Sequence, residues 1–228
     1  MIVIGSRSIR NLIKITVPFI AVPLITVAGA LVFDRKRHII ISFAVAAMAL
    51  LLFIAGFERK TTGSRRLVIV SVTTALCFAG RFIPVIKPVA ALTIITALYL
   101  GGEAGFLVGA MAAVLSNFYF GQGPWTAFQM LAWGITGLFA GFLAEPLKRH
   151  RWLLLVYGAV MGVVCSFVMD IWTVLSYSDG FSIRLYLAAL VTAIPHTVIY
   201  VVSNVLFLAL LAKPFGEKLE RIRVKYGV

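Results

Sequence analysis

Eight apolar runs divide this chain, at approximately 11–33, 39–57, 67–86, 88–100, 104–120, 127–144, 152–175 and 185–212. Most approach the ~20 residues that carry a helix across a bilayer. They are continuous rather than alternating with period two, which argues against a transmembrane β-barrel. Composition agrees: 61% of residues are hydrophobic and 13% charged, against roughly 45–50% and about 25% in soluble domains. The expected fold class is therefore an all-α integral membrane protein. A net charge of +13 would suit nucleic acid, but the basic residues sit in short loops between apolar runs. There they report topology and give no nucleic-acid footprint.

That charge orients the bundle. With the basic stretch 58–66 placed in the cytoplasm, 15 of the 21 Lys and Arg residues fall on one side. The same stretch divides the chain into a hydrophobic hairpin at 1–57, a basic cytoplasmic linker at 58–66, a six-helix core at 67–212 and a basic cytoplasmic tail at 213–228. The fourth run stands out, because as a helix it rises only about 20 Å. Pro84 and Pro88 bracket the loop before it and forbid continuous helix there.

The stretch from Ser116 to Thr126 carries most of the candidate chemistry. Gly121, Gly123 and Pro124 force a bent backbone, tolerated at membrane depth only where protein or a cavity covers it. Asn117, Tyr119, Gln122 and Trp125 surround the bend, with Gln129 and Trp133 beyond it. Apolar walls with a few neutral polar groups suit a small-molecule pocket; an interfacial aromatic belt is the plainer alternative. His196, Tyr200 and Asn204 share one helix face and could join the pocket. Tyr177 and Asp179 could lend a lid from the loop 176–182. Asp170 could pair with Arg81 or face a ligand, Arg81 could snorkel, and Glu103 reads as a solvated turn residue.

Small residues recur at four-residue spacing. Gly101, Gly105, Gly109 and Ala113 form one ridge, and Gly137 with Gly141 another; both read as internal helix packing. Ser71, Ala75 and Ala79 form a third. Cys77 and Cys165 lie inside apolar runs without metal-ligand spacing, so neither a disulfide nor a metal site is expected. There is no P-loop and no catalytic motif. A lipid- or prenyl-modifying membrane enzyme would have to be built from Asp170, Glu103 and His196, and a self-sufficient channel is a further alternative.

The ordered set Arg65–Arg66, Ala75-x-x-x-Ala79, Arg81, Lys87–Pro88, Gly105–Phe106, Ser116–Asn117, Gly123–Pro124–Trp125–Thr126, Phe128–Gln129–Met130 and Ala132–Trp133–Gly134 resembles the substrate-specific S component of energy-coupling factor (ECF) vitamin transporters. Within that family the sequence looks most like the cobalamin branch. The resemblance implies a six-helix fold that binds a vitamin from outside and is not itself an enzyme. It implies partners as well: a transmembrane T component, docked on Ala75 and Ala79, and two ATPase subunits in a bacterial cytoplasmic membrane. Cobalamin would be transported substrate, with no resident cofactor. Another vitamin is the alternative.

Overall fold

The fourth run forms the axis of the molecule. A computed structural model describes residues 4, 6–32, 38–56, 60–178 and 181–226. In it, α5 (Val89–Leu100) is a 12-residue helix with every residue but Tyr99 buried. Around it stand α4 (Lys60–Gly80), α6 (Gly102–Phe120), α7 (Trp125–Phe142), α9 (Arg151–Tyr177) and α11 (Ile194–Tyr226), with the short α8 (Ala144–Arg149) between α7 and α9. Alternating hydrophobicity is lost in α5 because it meets protein on all sides. Leu, Ile and Phe side chains cover the outer faces of the surrounding helices, as a lipid-facing bundle requires. Among the described residues, four helical stretches are long and apolar enough to cross a membrane, Arg7–Leu31, Gly102–Phe120, Arg151–Tyr177 and Ile194–Tyr226. The chain is a multi-pass membrane protein.

The glycine ridges close the tightest contact in the bundle. Gly105 lies on Gly137, Gly102 on Gly141, and Gly109 on the Trp133 carbonyl. A Cβ at any of these glycines would overlap the facing backbone. Packing at backbone distance supplies the dispersion contacts that replace the hydrophobic effect in lipid. Polar bonds join the other pairs. Tyr157 donates to the Thr136 carbonyl at 2.6 Å, linking α9 to α7. The Ser166 and Thr197 hydroxyls meet at 2.7 Å, and Asn204 donates to the Gly158 carbonyl at 2.9 Å, linking α9 to α11.

The N-terminal hairpin is packed on this core. Its first arm runs through α1 (Arg7–Thr16), a π-helical turn at Val17–Ala21 and α2 (Val22–Val32); α3 (His38–Ala55) returns. Pro18 and Pro23 lack N–H groups, and the widened turn absorbs the register they disturb. Lys14 forms an ion pair with Glu103 at 2.8 Å, and Val45, Ala49, Leu52 and Phe53 of α3 are fully buried. Glu103 is thus a paired residue, only 18% exposed, rather than a solvated turn group. Arg66 donates to the carbonyls of Leu100 and Gly56 close by. The α5–α6 turn thereby ties the hairpin to α4.

Helix boundaries do not coincide with the apolar runs. The basic stretch is helical from Lys60, as the start of α4, and Arg66 within it donates to the carbonyls of Leu100 and Gly56. The tail stays helical to Tyr226, whose carbonyl accepts from Arg65 at 2.6 Å. The last apolar run is two helices, α10 (Ile183–Thr192) and α11. Pro195 cannot donate to a preceding turn, so the chain breaks at Ala193 and restarts.

Gly137→Leu should force α6 and α7 apart and cost about 1–3 kcal/mol, the usual magnitude of overpacking. The expected readout in detergent is a lowered thermal midpoint or loss of the monodisperse species; an unchanged midpoint would contradict the backbone-distance packing.

Candidate functional site

A helix of 12 residues rises about 18 Å, well short of a hydrocarbon core of about 30 Å. The missing depth lies above the N-terminus of α5, and there the structure holds a cavity of about 340 Å³. Val89 and Ala90 from the first turn of α5 line it, with Arg81, Val85 and Lys87 from the preceding loop. Gln129 and Trp133 enter from α7, and His196, Ile199, Tyr200, Ser203 and Asn204 from α11. The α11 residues recur at three- and four-residue spacing, so one helix face supplies them. Val85 takes a positive φ of 63°, which turns the loop back toward α5. The cavity lies at the end of the bundle away from Lys14, Arg66, Lys148 and Lys213, hence at the outer side by the positive-inside bias.

Arg81 joins this cavity to the bent loop. Its Nη1 donates to the Ser116 hydroxyl and, at 2.6 Å, to Asn117 Oδ1. Its guanidinium stacks over Phe120, 4.8 Å from the ring centre, and Trp133, at 5.5 Å. Asn117 then donates to Thr126 Oγ1 and Gln129 Oε1, each at 2.9 Å. Thr126 donates to Gln122 Oε1, and Gln122 to the Val114 carbonyl, again at 2.9 Å each. Gly121, with φ of 109°, starts the bend, and the Trp125 ring lies over Gly123. The loop at 121–124 therefore satisfies its polar groups internally.

The sequence candidates separate accordingly. Gln129, Trp133, His196 and Tyr200 come together on the cavity wall. Asn117 and Gln122 stand behind it and hold the bent loop. Tyr119 lies in an aromatic cluster with Phe78, Phe82 and Phe120. Trp125 covers the bend. Tyr177 is 84% exposed at the end of α9, away from the cavity lining. Asp179 lies outside the described residues. Asp170 forms no ion pair with Arg81 among the described residues; its Oδ2 is buried without a hydrogen-bond partner, and His196 and Tyr200 are its electrostatic neighbours. Ser203 was not singled out from sequence, whereas Lys87 was, in the Lys87–Pro88 pair. Ser203 shares the His196–Asn204 face, so its periodicity was the available signal.

A second cavity, about 580 Å³ and nearly all apolar, runs between α3 and α4. Ser71 and Ala75 form part of its wall, and Ser71, Ala75 and Ala79 are all exposed along α4. Cys77 and Cys165 are buried free thiols.

The family model described as ECF-type riboflavin transporter, S component, matches residues 62–221. The chain belongs to this family. It is thus a substrate-binding subunit of a vitamin transporter, a class of transporter subunits rather than enzymes, and works with a T component and ATPases. The match covers α4 to α11 and leaves the hairpin outside. No curated protein and no solved structure matches the chain.

Asn117→Ala would strand the polar groups of Arg81 and Gln129 inside the protein. The expected cost is about 1–3 kcal/mol, read as a lower thermal midpoint together with weaker ligand binding. Retention of both would show that the loop network does not support the cavity.

Proposed function

We propose that this chain captures a vitamin in the cavity above α5 and delivers it inward across a bacterial cytoplasmic membrane, with ATP hydrolysed by partner subunits. The observation that carries the reading is the cavity itself: Trp133 and Ile199 provide apolar walls, while Gln129, Tyr200, Ser203 and Asn204 provide convergent polar groups. It opens beside loops, where a ligand can enter and a segment can move. Ala75 and Ala79 are proposed as the docking surface for the T component, because small exposed residues on α4 allow close helix approach.

Cobalamin is the first substrate we propose. Within its family the sequence looks most like the cobalamin branch, and a corrinoid edge rich in amides suits Gln129, Ser203 and Asn204. A corrinoid is larger than 340 Å³, so it would enter by one edge and leave the rest against the outer loops. A flavin is the second reading. The matched family's description favours it, and so does a cavity at the small end of the roughly 300–1,000 Å³ typical of ligand pockets.

Uptake into vesicles holding the complete complex separates these readings. ATP-dependent accumulation of labelled cobalamin is expected; accumulation of riboflavin instead would transfer the assignment to the flavin, and accumulation of neither would remove both. Ala75→Trp should abolish co-purification of the T component and the ATPases. Survival of the complex would displace the docking surface from Ala75.

A further inference from the structure

The residues lining the cavity above α5 include two basic side chains, Arg81 and Lys87, and no carboxylate. Arg81 donates through Nη1 to neutral acceptors, and its Nε is buried with no hydrogen-bond partner. Lys87 Nζ also has only neutral acceptors, the carbonyls of Arg81 at 3.2 Å and Ile83 at 3.3 Å. Neither cation belongs to any ion pair found among the described residues. Beneath them begins α5, whose N-terminus at Pro88 has no side-chain cap, so the positive end of its dipole adds to the same space. The other polar or aromatic lining groups are neutral amides and hydroxyls, Trp133, and His196 with Tyr200; Asp170 neighbours those last two from α9 but stands outside the lining.

Resting on the vitamin-capture reading, we propose that Arg81 and Lys87 form an oxyanion subsite that takes a phosphate group of the transported molecule. Cationic groups in a poorly solvated cavity lose hydration that neutral carbonyls replace only in part. An anionic oxygen between them compensates the charges of both side chains and accepts from Lys87 Nζ. The subsite narrows the substrate to a vitamin form bearing such a group. Cobalamin carries a phosphodiester in its nucleotide loop, which cobinamide lacks. Flavin mononucleotide carries a phosphate, which riboflavin lacks.

The test is the affinity of the purified full-length chain for these four molecules, for wild type, Lys87→Gln and Lys87→Arg. In at least one pair, wild type should prefer the phosphate-bearing member by about tenfold or more, the usual size of a charge-assisted hydrogen bond. Lys87→Gln should cut that preference below about threefold, and Lys87→Arg should retain it. Wild type that binds without preference in either pair overturns the subsite while leaving vitamin capture in place, and needs no variant. A preference that survives Lys87→Gln overturns it equally. Absence of binding by all four removes the cobalamin and flavin readings and the subsite with them, a loss of affinity rather than of preference.

Discussion

The structure turns on a mismatch of length. At the centre of the bundle stands a helix about 18 Å tall in a solvent slab about 30 Å thick. No water is available at that depth to satisfy the chain that completes the crossing. The loop 81–88 must therefore bring its own partners. Arg81 does so by binding Ser116 and Asn117 and stacking on Phe120 and Trp133, and Lys87 by binding loop carbonyls. What remains above Val89 and Ala90 is space lined by polar groups. The cavity is the depth that α5 leaves unfilled.

Everything around α5 keeps that space open. The backbone contact of Gly105 with Gly137 fixes α6 against α7, so Trp133 and Gln129 reach the cavity from a rigid neighbour. The Ser166–Thr197 and Asn204–Gly158 bonds fix α11 against α9, and thereby the His196 face. At the opposite end, Lys14, Glu103 and Arg66 tie the hairpin and α4 to the α5–α6 turn. At the cavity end the loops are held by hydrogen bonds of Arg81, Lys87 and Asn117.

Much of this was legible before the structure. The short fourth run, the glycine ridges and the bend at Gly121 follow from spacing and backbone chemistry. The cavity members His196, Tyr200, Gln129 and Trp133 follow from polar residues that share a face. Asn117 and Gln122 show the limit: an amide that must be satisfied by protein and one aimed at a ligand look alike in sequence. Arg81 shows another. Near a helix end it reads as a snorkelling cation, and only the shortness of the adjacent α5 turns it toward a cavity. Glu103 looked solvated because its partner, Lys14, lies 89 positions away in the hairpin. Pro195 was visible, yet unbroken hydropathy hid the break it makes between α10 and α11.

The most direct measurement is a structure of the full-length chain with its vitamin bound. The account predicts ligand density above the first turn of α5, against Gln129, Trp133, His196 and Tyr200. Density in the apolar groove between α3 and α4, with the space above Val89 and Ala90 filled by protein, would contradict it.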